Sequence, residues 1–172
     1  KQIGEEILEH FCKANPDFNC VLLRYFNPVG AHMSGLTGEL PISKPDNLVP
    51  IVTQTAVGKN SLTVFGNDYQ TRDGSCIRDY VHVREICYAI EKAIKHPSCV
   101  PGAEPQPIFE YLGHGKLYSV SECVDAFLKA NGASFDVMIQ PRRSGDIEMP
   151  GGYDISPYMP LTHATLEEMM KV

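Results

Sequence analysis

A short segment in which an apolar run meets Asn-Pro limits the folds open to this chain more than any other feature. Residues 19–27 are mainly apolar and rich in β-forming side chains, which predicts a strand buried on both faces of a sheet. Pro28 has no N–H to continue a ladder, so the strand is predicted to end at Asn27. In parallel α/β sheets, ligands bind beyond the carboxyl ends of the strands. Asn27 is therefore predicted to lie where a ligand binds.

The length and charge of the chain exclude several classes of protein. With 172 residues, of which 43% are hydrophobic and 21% charged, it matches a globular domain with an adequate core. The net charge of −6 argues against a general nucleic-acid binder, and no apolar run is long enough to span a membrane. The first residues lack the apolar stretch of a signal peptide, and they begin with Lys rather than Met. We therefore expect a processed chain or part of a longer one, with neither nucleic acid nor a membrane as partner.

The spacing of six cysteines favours reduced thiols. None forms a Cys-x-x-Cys pair, and no histidine lies at zinc-ligand spacing from them, so we assign no metal site. Several fall in apolar helical patterns, where a free cysteine packs as a small apolar side chain. We therefore predict a cytoplasmic protein, with a disulfide framework as the alternative. The cysteines are Cys12, Cys20, Cys76, Cys87, Cys99 and Cys123.

Apolar periodicity predicts helices and strands that alternate along the chain. Helical spacing covers residues 2–15, 48–56, 86–94, 120–128 and 166–171, and β-type patterns cover 19–27, 61–65, 77–83, 107–112 and 135–139. Residues 28–46 form a long loop, and residues 97–107 form a Pro-rich linker. Ser119 and Thr165 are predicted to cap the helices that follow them. The alternation indicates an α/β fold with some parallel sheet.

Arg78 stands beside Asp79 at the head of the predicted strand 77–83, just after a polar loop. A guanidinium in this position can turn toward a ligand, and its planar fork suits two phosphate oxygens. The alternative is a structural ion pair between Arg78 and Asp79 at the end of a sheet. The residues alone leave both possibilities open.

A second basic loop, Arg142-Arg143-Ser144-Gly145-Asp146, follows the predicted strand 135–139. An arginine there can bind phosphate, and a carboxylate can accept hydrogen bonds from two sugar hydroxyls. The alternative is a solvent-exposed turn. The loop is therefore a candidate site for an anion or a ribose.

Two further residues carry a structural and a functional interpretation. Asn47 lies at the entry to helix 48–56, where it either caps the helix or contacts an anion at the helix N-terminus. Phe65 either packs in the core or lines a ligand site. Both interpretations can hold for Asn47, since helix N-termini favour anions.

Five segments together resemble the UDP-galactose (UDP-glucose) 4-epimerases, members of the extended short-chain dehydrogenase/reductase family. The segments are LRYFNPVGAH (23–32), DNLVP (46–50), TVFGND (63–68), IRDYVHV (77–83) and RRSGD (142–146). The resemblance implies the C-terminal part of a Rossmann-like doubly wound sheet with a smaller α/β substrate-binding region. Residues 1–30 would end the dinucleotide-binding sheet, and residues 31–172 would mainly bind substrate. The strand 76–83 and the helix 84–95 are candidates to return to the sheet.

The same resemblance implies a site for UDP-glucose or UDP-galactose. Arg78 and Arg143 would bind the diphosphate, and Asp146 would bind the ribose. Thr63 and Phe65 would pack beside the uracil. The full set of substrate-binding residues implied in this way is Asn27, Asn47, Leu48, Thr63, Phe65, Arg78, Arg143 and Asp146.

NAD is the cofactor that the resemblance implies. Lys1 would be the lysine of the family's Tyr-x-x-x-Lys pair, which lowers the pKa of the tyrosine and binds the nicotinamide ribose. Tyr25 and Phe26 would lie near the nicotinamide ring. The tyrosine, four positions before Lys1, would take the proton of the 4-hydroxyl while hydride passes from C4 to NAD. Hydride would then return to the other face of the 4-keto sugar.

Some features of the family do not occur in these 172 residues. There is no Gly-x-x-Gly-x-x-Gly turn and no Tyr-x-x-x-Lys tyrosine, so the chain alone is predicted to be inactive. Glu110 stands where the family has asparagine, and after Asp146 the residues 147–153 replace the family's gate to the sugar pocket. The alternatives are another nucleotide-sugar enzyme, a dehydratase or decarboxylase, or a non-catalytic UDP-binding module. We expect a homodimer for the complete enzyme, and aggregation, dimerisation or poor folding for this chain alone, because strand 19–27 lacks sheet neighbours.

Overall fold

The computed structural model describes residues 1–95, 108–151 and 165–171, with an α/β architecture as predicted. The helices in these ranges are α1 (Gln2–Ala14), α2 (Leu48–Ala56), α3 (Val83–Ile94), α4 (Val120–Asn131) and α5 (Leu166–Met170). The strands are β1 (Val21–Tyr25), β2 (Asn27–Val29), β3 (Leu62–Phe65), β4 (Ile77–His82), β5 (Ile108–Leu112), β6 (Leu117–Ser119) and β7 (Val137–Gln140). The predicted linker 97–107, Cys99 and residues 152–164 lie outside the described residues.

β1 and β5 form a parallel pair that ends beside Asn27. Its register runs from Val21 opposite Ile108 to Tyr25 opposite Leu112. The ladder continues one residue further, because the Phe26 N–H donates to the Leu112 carbonyl at 3.2 Å. The carboxyl ends of β1 and β5 therefore lie at the same edge of the sheet.

Two helices attach to this pair. Ala89 and Ala93 of α3 are buried against Leu112 at the end of β5. The first turn of α1 is fixed to β1 by an ion pair in which Arg24 Nε donates to Glu5 Oε1 at 2.8 Å. The hydrogen bond from Arg24 lowers the pKa of the Glu5 carboxyl. The N-terminus of α1 is thereby held near the carboxyl end of β1.

The predicted strand 19–27 is two strands rather than one. β1 ends at Tyr25, and β2 begins at Asn27 after the single residue Phe26. β1 pairs with β5, whereas β2 pairs with β4 in another sheet. The prediction that Pro28 ends the strand was wrong, because it lies inside β2. The missing N–H is tolerated because β2 has one neighbour, β4, among the described strands and is therefore an edge.

Two further groups of strands carry the residues around the cleft described below. β4 lies at the centre of the order β2-β4-β6, parallel to β2 and antiparallel to β6. β3 and β7 form a separate parallel pair. β6 has no counterpart in the sequence prediction, because three residues are too few to give a pattern. The strand 77–83 thus pairs with β2, while α3 after it packs on β1 and β5.

The main core lies where β3 and β4 meet α2, α4 and α5. Its largest fully buried side chains include Leu62, Met169 and Met170. Apolar side chains from these five elements and from β2 fill it. The buried members are Val29, Val52, Leu62, Tyr80, Cys123, Val124, Ala126, Phe127, Leu166, Met169 and Met170.

Both predicted helix caps are confirmed. Ser119 Oγ accepts the Glu122 N–H at 3.1 Å, and Glu122 Oε2 accepts the Ser119 N–H at 2.9 Å. Thr165 Oγ1 accepts the Glu168 N–H at 3.2 Å. These reciprocal bonds satisfy donors that a helix N-terminus otherwise leaves open, and they fix where α4 and α5 begin.

The apolar stripe of α1 faces solvent in the described part of the chain. Ile3 is 73% exposed, Ile7 is 62% exposed and Phe11 is 47% exposed, whereas Cys12 is fully buried. No helix in the described ranges combines the length and the apolar character needed to cross a bilayer.

Candidate functional site

One cleft brings together all eight residues that the sequence predicts for substrate binding. It has a cavity volume of about 210 Å³ and is open to solvent. Side chains reach it from β2, β3, β4, the N-terminus of α2 and the loop after β7. The predicted residues that line it are Asn27, Asn47, Leu48, Thr63, Phe65, Arg78, Arg143 and Asp146.

Arg78 extends into this cleft from β4. Its Nη1 donates to the carbonyl oxygens of Ile77 at 2.7 Å and Ile147 at 2.8 Å. The next residue, Asp79, is fully buried and accepts hydrogen bonds from the backbone N–H groups of His114 and Gly115. Because successive residues of a strand point to opposite faces, Arg78 faces the cleft while Asp79 anchors the loop after β5.

Arg143 and Asp146 line the cleft as a hydrogen-bonded pair. Arg143 Nε donates to Asp146 Oδ2 at 2.9 Å, and Arg143 Nη2 donates to Asp146 Oδ1 at 3.2 Å. The guanidinium also lies over the Phe65 ring, 4.9 Å from its centroid. The loop thus presents a cation and a carboxylate in a fixed relative orientation, as planar bidentate pairs do.

The N-terminus of α2 opens onto the same cleft. Asn47 is its N-cap residue, but its side chain makes no capping hydrogen bond, and the first turn holds no acidic residue. Leu48 begins the helix, and backbone N–H groups of a first turn have no partner within the helix. Such a terminus carries a partial positive charge and favours an anion. The structural interpretation of Asn47 as a side-chain cap therefore does not describe this helix.

Thr63 and Phe65 project from the face of β3 that is not in the core. They alternate with the buried residues Leu62 and Val64. Both are half-buried, and Phe65 carries Arg143 on its ring. An apolar ring and a hydroxyl at this wall suit the flat, polar-edged base of a nucleotide.

Tyr80 and Asp46 also line the cleft, and the sequence analysis did not single them out. Tyr80 lies two residues after Arg78 on β4, so the period of the strand could have placed it on the same face. It is 2% exposed, and burial raises the pKa of its phenol. Burial also raises the pKa of the neighbouring Cys123 thiol to about 12. Both groups are therefore neutral at physiological pH.

Lys1, Tyr25 and Phe26 lie outside the cleft. Lys1 is exposed at the start of α1, and its carbonyl accepts the Glu5 N–H at 3.2 Å. Tyr25 is 52% exposed at the carboxyl end of β1. Phe26 packs against the core residues of β4 and α3. Glu5, in the first turn of the helix that begins after Lys1, is ion-paired with Arg24, the residue before Tyr25.

Comparison with known proteins identifies relatives along most of the chain. The model of the NAD dependent epimerase/dehydratase family matches residues 1–106. The UDP-glucose 4-epimerase of Erwinia amylovora is 47% identical over 148 residues, and that of Dictyostelium discoideum is 44% identical over 144 residues. These alignments cover 86% and 83% of this chain, and 43% and 41% of the relatives.

Solved structures give the same result. The UDP-glucose 4-epimerase from Bifidobacterium longum in complex with NAD+ and UDP superposes with a TM-score of 0.88 at 39% identity. The alignment covers 99% of this chain and 50% of that one. The enzyme from Stenotrophomonas maltophila, with bound NAD and formylated UDP-arabinopyranose, gives a TM-score of 0.84 at 34% identity.

The chain spans about half the length of the solved relatives and slightly less of the curated ones. Within that span, the family match, the sequence identity and the fold agree. The Rossmann-like α/β fold is that of an extended short-chain dehydrogenase/reductase. The chain therefore belongs to the NAD dependent epimerase/dehydratase family.

Proposed function

We propose that this chain is the substrate-binding half of a UDP-glucose 4-epimerase, which inverts C4 of a UDP-hexose with the help of NAD. The observation that carries the proposal is the convergence of Arg78, Arg143, Asn27 and the uncapped N-terminus of α2 on one cleft. Two guanidinium groups and a helix N-terminus form a site suited to a diphosphate. The similarity to UDP-glucose 4-epimerases over more than four fifths of the chain supports this ligand.

Each wall of the cleft has a role in this proposal. Arg78 and Arg143 hold the diphosphate, and each charge-assisted contact contributes about 1.5–3 kcal/mol. Asp146 accepts hydrogen bonds from the ribose, while Thr63 and Phe65 flank the uracil. Anchoring the substrate by its nucleotide leaves the hexose free to turn over, which a reaction on both faces of C4 requires.

Asn27, Asn47 and Leu48 complete the nucleotide site. The amide of Asn27 lies at the start of β2 and donates toward the phosphates, and the first-turn N–H groups near Leu48 do the same. Because the Asn47 side chain makes no capping bond, its amide is available to the ligand. These neutral donors add to the two arginines without adding charge.

NAD belongs at the edge of β1 rather than in the cleft. Tyr25 is half-exposed there, and its neighbour Arg24 is ion-paired with Glu5 in the first turn of the helix that begins after Lys1, which supports this edge as the place for the nicotinamide end of the cofactor. When bound there, NAD would supply the acceptor for a hydride from C4 and the donor for its return. In the proposal Lys1 binds the nicotinamide ribose, and Tyr25 and Phe26 form the wall beside the ring.

The inactivity of this chain alone and three features of the complete enzyme are further proposals. We propose that these 172 residues alone do not turn over substrate, because they contain no glycine-rich turn for the pyrophosphate of NAD. We propose a homodimer for the complete enzyme, and a cytoplasmic location from the cysteine pattern. The boundary at residue 30 between cofactor-binding and substrate-binding regions also stays a prediction.

Calorimetric titration of the chain with UDP tests the binding proposal. We expect UDP to bind, and Arg78→Ala to weaken it by about 10-fold to 100-fold, as expected for losing charge-assisted hydrogen bonds. Arg84→Ala is the matched control, because Arg84 is exposed and does not line the cleft. Absence of UDP binding, or equal effects of the two substitutions, would overturn the proposal.

Product analysis distinguishes the reaction itself. The matching family also includes dehydratases by its description. If a glycine-rich, tyrosine-containing N-terminal half is supplied with NAD, we expect interconversion of UDP-glucose and UDP-galactose. Loss of water or carbon dioxide from the substrate would instead identify a dehydratase or decarboxylase, and UDP binding without any turnover would indicate a binding module.

A further inference from the structure

One charged side chain of the cleft has no role in the proposed binding scheme. Asp46 lies directly before Asn47, the N-cap of α2, and is exposed at the cleft wall. Among the residues that the structure describes, the charged side chains lining the cleft are two cations, Arg78 and Arg143, and two anions, Asp46 and Asp146. The formal charges therefore cancel in a cleft that is proposed to bind a diphosphate.

The two acidic residues differ in their surroundings. Asp146 accepts two hydrogen bonds from Arg143, and the positive charge of Arg143 offsets its negative charge. The other cation of the cleft, Arg78, donates to backbone carbonyls. Within residues 1–95, 108–151 and 165–171, no hydrogen bond or ion pair joins Asp46 to another side chain. Asp46 thus places a solvated negative charge beside the anion-favouring helix N-terminus.

Resting on the proposed function, we propose that Asp46 is a specificity-determining residue that favours UDP-sugars over free UDP. A UDP-sugar carries two negative charges on its diphosphate. Free UDP carries almost one more at pH 7.5, because the second ionisation of a terminal phosphate has a pKa of about 6. A fixed carboxylate in the cleft therefore repels free UDP, which carries more negative charge, more strongly than it repels a UDP-sugar.

The dimensions of the cleft allow this repulsion to act. A sphere with the cavity volume of the cleft, about 210 Å³, is about 7 Å across, well within the Debye length of about 30 Å at 0.01 M ionic strength. At the dielectric constant of water, repulsion between a carboxylate and a negative charge about 8 Å away weakens binding about twofold for each charge on the ligand. Asp46 thereby weakens the binding of free UDP more than it weakens the binding of the UDP-sugar substrate.

Calorimetry with Asp46→Asn tests the inference at about pH 7.5 and low salt. We expect UDP to bind about eightfold tighter, UDP-glucose about fourfold tighter, and uncharged uridine equally. At about 1 M salt, where the Debye length falls to about 3 Å, the gains are expected to disappear. Asp17→Asn is the control, since it removes the same charge from the exposed turn between α1 and β1.

The outcomes separate this inference from the proposed function. If the wild-type chain binds UDP and UDP-glucose but Asp46→Asn strengthens both equally, weakens them, or acts like Asp17→Asn, the role of Asp46 is overturned and the binding site stands. If the wild-type chain binds neither ligand, the proposed function fails and this inference fails with it. A gain that rises with ligand charge supports it.

Discussion

Arg143 and Asp146 share two hydrogen bonds, with Nε to Oδ2 at 2.9 Å and Nη2 to Oδ1 at 3.2 Å, on the wall of the candidate nucleotide site. The Asp146 side chain is 18% exposed and that of Arg143 is 47% exposed. Neither bond uses Arg143 Nη1. The carboxylate therefore sets the direction in which the guanidinium meets a ligand.

The pair is expected to act as a unit in binding UDP. Arg143→Ala should weaken UDP binding by about 10-fold or more, and Asp146→Asn should weaken it as well, because the guanidinium loses its support. In the double variant the loss of UDP binding free energy should be smaller than the sum of the two single losses, with a coupling free energy of about 0.5–3 kcal/mol in a double-mutant cycle. Strictly additive losses in calorimetry would show that the two side chains bind the ligand independently.

His82 is expected to make stability depend on pH. Its Nδ1 accepts the Arg84 N–H at 3.1 Å as the cap of α3, which requires the neutral ring. Burial and then the charge of Arg84 lower the pKa of His82. The unfolded chain binds a proton at His82 more readily than the folded chain does. The neutral His82 ring therefore stabilises the fold above about pH 6.5, and this stabilisation is lost as pH falls through the pKa of His82 in the folded state.

Asn in place of His82 keeps a capping acceptor but does not titrate. The free energy of unfolding in urea, measured at about pH 7.5, 6.5 and 5.5, should fall less steeply with acid in His82→Asn than in the wild type. Other titrating groups are common to both proteins and cancel. An unchanged pH dependence would exclude His82 as its source.

Gly74 closes the polar loop that leads into β4. It has φ +80°, and a Cβ there would lie 2.2 Å from the Asn67 carbonyl oxygen. Gly58 has a similar φ of +71° but no atom within 4 Å of such a Cβ. Gly58→Ala should therefore cost about 1–2 kcal/mol of backbone strain, and Gly74→Ala clearly more. Equal losses of unfolding free energy in the two variants, measured by chemical denaturation, would mean that the loop around Gly74 can shift without strain.

Asp79 is expected to be a structural residue rather than a ligand for the nucleotide. Its oxygens accept the His114 N–H at 3.2 Å and the Gly115 N–H at 2.9 Å. Asp79→Ala leaves two backbone donors without this acceptor and should lower the free energy of unfolding by about 2–4 kcal/mol. Asp79→Asn, which keeps one carbonyl oxygen, should lose less, and its UDP affinity should match the wild type. A loss of UDP binding in folded Asp79→Asn would contradict this assignment.

Local signals were sufficient to predict the helices, whereas most residues of the cleft were predicted only through the resemblance to the epimerase family. Ser119 and Thr165 mark helix starts because a cap depends on residues within three positions. The period of β4 puts Arg78 on one face, and the loop carrying Arg143 and Asp146 is compact in sequence.

Other features depend on partners distant in sequence and could not be predicted. Nothing within the run 19–27 indicates that its two halves pair with different strands, β5 and β4. Ile147 supports Arg78 through its carbonyl from 69 positions away. Pro28 within an edge strand is likewise permitted by the arrangement of the sheet and not by its neighbours in the chain.

The single residue between β1 and β2 has a mechanical consequence. Tyr25 ends the strand proposed to border the cofactor, and Asn27 starts the strand that reaches the cleft, so about 7 Å of extended backbone joins them. Phe26 in between is held by packing on β4 and α3 and by its bond to Leu112. A displacement of Tyr25 is thus passed on to Asn27 almost unchanged. The short, rigid backbone between them would therefore hold the bound dinucleotide and sugar nucleotide at a fixed relative position.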